Sequence, residues 1–129
     1  MKNLRVLIVD DSREDIEKVA SMLQEMGHEV LTAPDGVRGV EVAVNEQPDL
    51  VLMDVVMPEI NGFQATRELH TNEATSEIPV IIVSHKDEEI DKVWAMKQGA
   101  RGYLTKGFDK KSLSKIIAST LSGKNKDQG

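Results

Sequence analysis

The chain has 129 residues, of which 40% are hydrophobic, carries a formal net charge of −6 and contains no cysteine. This length supports one self-sufficient core, so folding needs neither a disulfide nor a structural metal. The negative charge argues against general binding to nucleic-acid phosphates, and no apolar run approaches the ~18 residues of a membrane span. We therefore expect a soluble cytoplasmic protein that neither binds nucleic acid nor inserts into a membrane.

Short apolar runs alternate with longer segments of helical period, which is the pattern of a parallel α/β sheet. Strands are predicted at 4–9, 28–32, 49–53, 79–83 and 102–105. Helices are predicted between and after them, at 13–26, 36–46, 62–72, 87–98 and 109–122. Residues 1–122 are thus expected to form one domain. Residues 123–129 have no apolar anchor and are predicted to be a flexible C-terminal tail.

Local signals also predict the surroundings of a few polar side chains. Ser12, followed three residues later by Asp15, resembles the capping box that opens a helix. His28 begins a predicted strand and His70 lies near a helix end. We expect both imidazoles to be solvated.

Carboxylates follow two of the predicted strands at the point where each strand ends. The run Val6-Leu7-Ile8-Val9 stops at Asp10-Asp11, and the run Leu50-Val51-Leu52-Met53 stops at Asp54. In an open α/β sheet this edge is where ligands bind. Two carboxylates about 4 Å apart repel by roughly 4 kcal/mol at an effective dielectric near 20, so the cluster needs a cation, a proton or a lysine. A divalent-metal site is predicted; the alternative is a set of surface acids that cap strands and loops.

Further residues occur in an order that resembles a known family. After Asp10-Asp11 and Asp54 come Met57-Pro58 with Asn61-Gly62, then Ser84, Gly99-Ala100 and Tyr103-Leu104-x-Lys106. This order, over residues 4–121, is similar to that of CheY-like receiver domains of two-component systems. The resemblance implies a flavodoxin-like three-layer α/β sandwich with a five-stranded parallel sheet in the order 2-1-3-4-5. The stretches 62–67 and 91–94 look closer still to PilH-type regulators of twitching motility.

The resemblance implies a role for each of these site residues. Asp54 would be the phosphoacceptor, and Mg²⁺ would be held by Asp10, Asp11, Asp54 and the backbone carbonyl of Val55. Lys106 and the Ser84 hydroxyl would contact phosphoryl oxygens. Ser84 and Tyr103 would form the conformational switch, since an aromatic at this position turns inward when the hydroxyl moves toward the phosphoryl group. The alternatives are a capping hydroxyl for Ser84 and a half-buried strand residue for Tyr103.

Two residues depart from the family pattern. His85 stands where a small residue is usual, beside the phosphorylation pocket, and could shield the phosphoryl group or turn out to solvent. Gly107 follows Lys106 where proline is usual, which leaves the peptide bond trans or the loop mobile and puts the placement of Lys106 in question. His85 and Gly107 are therefore candidate modulators of the site, and Val56 is a third candidate.

The resemblance implies a stand-alone response regulator that is phosphorylated by a histidine kinase or phosphotransfer domain. It would be a phosphoacceptor that assists its own phosphorylation and dephosphorylation, rather than an enzyme with a separate substrate. A downstream protein would bind the face of the fourth helix, fifth strand and last helix, in pilus or chemotaxis-like motility, and the protein is expected to be a monomer. The sequence leaves open a phosphate sink and a degenerate receiver that binds partners without phosphorylation.

Two hypotheses from other classes of protein fit the sequence less well. A Mg²⁺-dependent phosphohydrolase usually carries Asp-x-Asp on one strand and a cap, whereas this chain has adjacent aspartates and no spare segment. A flavodoxin-like cofactor binder needs a phosphate loop after the first strand, where Asp10-Asp11 would repel a phosphate.

Overall fold

The computed structural model describes residues 3–57 and 59–126, and in these ranges five strands alternate with five helices. The strands are β1 (Arg5–Val9), β2 (Glu29–Ala33), β3 (Leu50–Asp54), β4 (Val80–Ser84) and β5 (Gly102–Thr105). The helices are α1 (Arg13–Glu25), α2 (Gly36–Glu46), α3 (Gly62–Thr71), α4 (Glu89–Lys97) and α5 (Lys110–Lys126). Every predicted element is present. None of the described helices is long and apolar enough to cross a bilayer.

The bounds of two helices differ by two residues or more from those predicted. α4 begins at Glu89 rather than at residue 87, and α5 continues to Lys126, beyond the predicted end at residue 122. The segment predicted as a tail therefore begins in a helix. Residues 127–129 lie outside the described residues, as does Pro58, so the flexibility of the tail remains a prediction.

The strands form one parallel sheet in the order β2-β1-β3-β4-β5, which confirms the predicted topology. Every residue of β3 and β4 is buried. Central strands of a parallel sheet are covered on both faces by helices, which is why their sequences are almost continuously apolar. A polar residue that ends such a strand, as Asp54 and Ser84 do, lies at the point where the helical cover stops.

Alternate residues of each strand contribute to two separate hydrophobic cores. On one face Val9 and Met53 pack with residues of α2, α3 and α4. On the other face Ile8 and Leu52 pack with α1 and α5, through Leu23, Leu113 and Ile117 among others. The two cores confirm the three-layer sandwich, and they fix the strand ends that carry the polar residues.

The N-terminus of α1 contains only half of the predicted capping box. The Asp15 N–H donates to the Ser12 hydroxyl over 3.2 Å, but the Ser12 N–H donates to Asp10 Oδ1 over 2.9 Å rather than to Asp15. A complete capping box opens α3 instead, where Asn61 and Gln64 exchange hydrogen bonds of 2.9 Å. The side chain of Asp15 is thus free for another use.

The prediction that His28 is solvated was wrong. Its ring is buried, and Nδ1 accepts a hydrogen bond of 3.1 Å from the Leu4 N–H. Leu4 lies just before the first residue of β1, which pairs with Glu29, so its N–H needs a partner from outside the strand ladder. His70 is exposed, as predicted.

Gly62 allows α3 to begin directly against the end of β3. Its N–H donates to the Val55 carbonyl over 2.8 Å. A Cβ at this position would collide with the Asp54 carbonyl oxygen and crowd the Cα of Val55. The close approach of the two backbones therefore requires a residue without a side chain.

We predict that Gly62→Ala lowers the free energy of unfolding by about 1–3 kcal/mol, because the methyl group must push α3 away from the end of β3. Urea denaturation followed by far-UV circular dichroism measures the change. Gly107→Ala is the comparison, since a Cβ there meets no atom within 4 Å and adds only the strain of its positive φ. A Gly62→Ala protein as stable as the wild type would contradict the steric explanation.

Candidate functional site

The C-terminal ends of four strands bring the predicted site residues to one edge of the sheet. Asp10 directly follows β1, Asp54 and Ser84 end β3 and β4, and Lys106 directly follows β5. Together with Asp11 and Tyr103 they line an open cleft of about 370 Å³. The predicted convergence is therefore present in the fold.

Three carboxylates form the floor of this cleft. Asp10, Asp11 and Asp54 each offer an oxygen within 4.8 Å of the other two. Asp10 and Asp54 are buried, whereas Asp11 is exposed at the mouth. An acid cluster at this spacing repels itself unless a positive charge accompanies it.

Lys106 supplies that positive charge. Its Nζ lies 2.8 Å from Asp54 Oδ1, 3.4 Å from Asp10 Oδ2 and 2.8 Å from Asp15 Oδ2. The lysine side chain is only 12% exposed, so solvent screens these contacts weakly. A lysine ammonium has three hydrogens to donate, and it faces three carboxylates here.

Burial and this lysine act in opposite directions on the acids. Burial raises the pKa of Asp54 above its usual range, although the hydrogen bond from Lys106 opposes it. Burial likewise raises the pKa of Asp10, against the Ser12 N–H and Lys106. For Lys106 itself burial favours the neutral form, but hydrogen bonds to Asp15 and Asp54 outweigh it and hold the pKa above its usual value. The site is thus a charged cluster with an excess of buried negative charge.

Asp15 belongs to this site although the sequence suggested only a helix-capping role. The hydrogen bond from Lys106 lowers the pKa of the Asp15 carboxyl, so Asp15 stays ionised beside the lysine. The available signal was its place in the first turn of the helix that follows Asp10-Asp11. That turn begins at the sheet edge where the strands end.

The loop after Lys106 settles the question raised by the missing proline. No cis peptide bond occurs in the described part of the chain, and Gly107 has a φ of +95°. A proline ring holds φ near −65°, so this backbone conformation is closed to proline and favours glycine. Lys106 nevertheless points at Asp54 in this loop.

The two predicted switch residues are joined through the backbone of one residue. The Lys86 N–H donates to the Ser84 hydroxyl oxygen over 3.1 Å, and the Tyr103 hydroxyl donates to the Lys86 carbonyl over 2.6 Å. Ser84 therefore uses its oxygen as an acceptor and keeps its own hydroxyl hydrogen for another partner. Ser84 and Tyr103 thus contact the amide and the carbonyl of the same residue, Lys86.

The remaining candidate modulators lie at the mouth of the cleft. Val56 is 78% exposed, and His85 is exposed and lines the cleft. His85 is also close enough to Asp15 for its charge to favour the ionised carboxyl, contributing to the lowered pKa of Asp15. Neither residue contacts Asp54 directly among the interactions of the described residues.

Comparison with known proteins identifies the family. Residues 6–118 match the response regulator receiver domain. The chain belongs to this family.

Several receiver proteins are similar to this one over most of its length. Protein PilH of Pseudomonas aeruginosa is 56% identical over 119 residues, which are 92% of this chain and 98% of that protein. The chemotaxis protein CheY4 of Vibrio cholerae superposes with a TM-score of 0.86 at 28% identity, over 92% of this chain and 99% of that chain.

A third neighbour bears on the metal. The receiver domain of the sensor histidine kinase PA1611 of Pseudomonas aeruginosa is described with a magnesium ion coordinated in its active site cleft. It superposes with a TM-score of 0.85 at 26% identity, over 94% of this chain and 99% of that domain. Magnesium binding in an active site cleft is thus known for a receiver domain of similar fold.

The residues present in this receiver domain suit Mg²⁺. The ion prefers hard oxygen donors, and Asp10, Asp11 and Asp54 offer three carboxylates. The predicted fourth donor, the Val55 carbonyl, already accepts the Gly62 N–H over 2.8 Å, so only its second lone pair is free. The neighbouring Val56 lines the same cleft.

We predict that Asp54→Asn raises the free energy of unfolding of the metal-free receiver at neutral pH. A carboxyl whose pKa is raised by burial favours its neutral form in the folded state, so its contribution to stability falls as pH rises from the unfolded pKa through the folded one. The neutral amide removes that loss. Urea denaturation in a metal chelator measures the change, with the exposed Glu41→Gln as the control for lost charge.

Mg²⁺ should reverse this order. An ion that binds only the folded wild type adds about 2.7 kcal/mol at a hundred times its dissociation constant. Asp54→Asn should gain much less. A metal-free Asp54→Asn protein less stable than the wild type would contradict the burial argument, and an equal gain with Mg²⁺ would contradict the metal site at Asp54.

Proposed function

We propose that Asp54 accepts a phosphoryl group from a histidine kinase or phosphotransfer domain in a Mg²⁺-dependent reaction. The observation that carries this proposal is the gathering of Asp10, Asp11, Asp54 and Lys106 at one sheet edge, with Lys106 Nζ 2.8 Å from Asp54 Oδ1. The ionised carboxylate is the nucleophile. The ammonium beside it is already in place to neutralise negative charge on the incoming phosphoryl group. Asp54 thus acts as a phosphoacceptor rather than as part of an enzyme with a separate substrate.

In this reaction an oxygen of Asp54 forms a bond to phosphorus while the phosphorus–nitrogen bond of the donor phosphohistidine breaks. The imidazole leaves with the bonding electrons and takes up a proton. Asp10, Asp11, Asp54 and a carbonyl of Val55 or Val56 would hold Mg²⁺, which neutralises phosphoryl oxygens when bound. Lys106 offers its ammonium to the phosphoryl group, and Ser84 offers its free hydroxyl hydrogen. The same groups would assist hydrolysis of the aspartyl phosphate.

Phosphorylation would be signalled through the Ser84–Lys86–Tyr103 connection. When the Ser84 hydroxyl turns toward a phosphoryl oxygen, its hydrogen bond to the Lys86 N–H must change, and Tyr103 holds the carbonyl of the same residue. The phosphoryl group can shift the equilibrium only by its difference in affinity for the two arrangements. Ser84 and Tyr103 are therefore proposed as the switch.

The face formed by α4, β5 and α5 is proposed as the docking site of a downstream protein. On α4, Ile90, Val93 and Trp94 are 74%, 45% and 51% exposed, at a spacing that places them on one side of the helix. Exposed apolar groups of this kind mark interaction sites. The likeness to PilH supports a role in pilus motility. Localisation in the cytoplasm and a monomeric state remain predictions.

A phosphorylation-independent interaction module is the alternative function. The apolar surface of α4 is exposed in the unphosphorylated protein, so partner binding does not by itself require phosphorylation. Partner binding that is unchanged in Asp54→Asn would favour this alternative. A phosphate sink would instead be phosphorylated normally and bind no downstream protein.

The proposed function is tested by incubating the wild type and Asp54→Asn with acetyl phosphate, with and without Mg²⁺. We expect one phosphoryl adduct by intact-protein mass spectrometry, on the wild type only and only with Mg²⁺. Fluorescence of Trp94, the chain's one tryptophan, should respond to beryllofluoride under the same conditions. The absence of any adduct on the wild type would overturn phosphoacceptor function and leave the interaction module.

We also predict that His85→Ala speeds loss of the phosphoryl group by about two- to fivefold, because the imidazole at the mouth limits the access of water. The decay of the adduct after removal of acetyl phosphate gives the rate. His70→Ala, which removes an exposed imidazole on α3, is the matched control. An unchanged decay rate in His85→Ala would remove this residue from the mechanism.

A further inference from the structure

Among the described residues, Asp15 is the one carboxylate partner of the Lys106 ammonium that lies outside the predicted metal site. Lys106 Nζ is 2.8 Å from both Asp15 Oδ2 and Asp54 Oδ1. We propose that Asp15 is a positioning residue that holds the Lys106 ammonium beside Asp54 while the other two carboxylates turn to the metal and the phosphoryl group. This inference rests on the phosphoacceptor role proposed for Asp54.

The competition for carboxylates makes such a tether necessary. Asp10 and Asp54 are shared between Lys106 and the proposed cation site. A divalent cation on these carboxylates would withdraw them from the lysine and repel its ammonium. Asp15 is not part of the cluster of three acids, so its contact with Lys106 can persist when the cation binds. The ammonium then stays within reach of a phosphoryl group on Asp54.

The backbone of Lys106 is tied to β4, since its N–H donates to the Ser84 carbonyl over 2.7 Å, but the next residue of the loop is a glycine. Gly107 has a φ of +95°, and its Cα faces open space, with no atom within 4 Å of where a Cβ would stand. Glycine is the residue with the largest conformational freedom, and freedom next to the lysine makes its position depend on other contacts. Of the three carboxylate contacts that the ammonium makes within the described part of the chain, the contact with Asp15 is made to a helix and the other two to strand ends.

Asp15 is itself held firmly enough to serve as an anchor. Its N–H donates to the Ser12 hydroxyl, and Ser12 is in turn bound to Asp10. Its carboxylate makes no return bond to the Ser12 N–H, which leaves it directed at Lys106. An ion pair only partly exposed, with 31% of the Asp15 side chain accessible, is screened less than a surface pair.

The test compares rates of Asp54 phosphorylation by acetyl phosphate at saturating Mg²⁺, measured by mass spectrometry. We expect Asp15→Asn to be about three- to tenfold slower than the wild type, a loss typical of one coupled pair. Glu14→Gln makes the same charge change at the exposed neighbouring position and should leave the rate unchanged. Asp15→Glu, which restores the carboxylate, should recover part of the rate.

A double-mutant cycle separates positioning from a general structural effect. If Asp15 acts through the lysine, Asp15→Asn should change the rate little in a Lys106→Ala background. Urea denaturation of each variant shows whether the fold is intact.

Two results would overturn the inference alone. One is phosphorylation of the wild type and of Asp15→Asn at the same rate. The other is an Asp15→Asn substitution that slows phosphorylation by the same factor with and without Lys106. A wild type that gives no adduct would overturn the proposed function of Asp54, and this inference with it.

Discussion

One ammonium group among buried carboxylates is the interaction on which the site depends. Without Lys106, the acids at the ends of β1 and β3 and in α1 would face one another across a few ångströms. At an effective dielectric near 20 each close pair costs roughly 4 kcal/mol, a large share of the stability of a small domain. Burial still raises the pKa of Asp10 and Asp54 in its presence. The metal-free protein therefore keeps unbalanced negative charge, which suits it to bind a cation and then a phosphoryl group.

The fold and the acid cluster were predictable because both follow from one-dimensional signals. Central strands of a parallel sheet are buried on both faces, so β3 and β4 appear as unbroken apolar runs, and the acid or hydroxyl that ends each run is immediately visible. Parallel strands also place all their C-terminal ends at one edge. The sequence alone therefore predicts that Asp10, Asp54 and Ser84 lie close together.

The features that the sequence did not reveal depend on side-chain direction across the fold. Asp15 has the spacing of a capping residue, and only the arrival of Lys106 from the far end of the chain gives its carboxylate another partner. In the sequence, His28 is an ordinary polar residue at a strand start, but its buried ring accepts a hydrogen bond from the Leu4 N–H, which lies outside the strand ladder. The position of Lys106 could not be judged from Gly107, because a glycine permits several loop conformations and the carboxylates select one.

The connection between Ser84 and Tyr103 has a consequence for how proteins of this type can diverge. It uses the amide and the carbonyl of Lys86, so it depends on the main chain and not on which side chain stands there. Only proline, which lacks the N–H, would break the first bond. The exposed side chain of Lys86 is therefore free to vary under selection for different binding partners. Substitution of Lys86 can therefore change the surface of the loop while the two backbone hydrogen bonds stay the same.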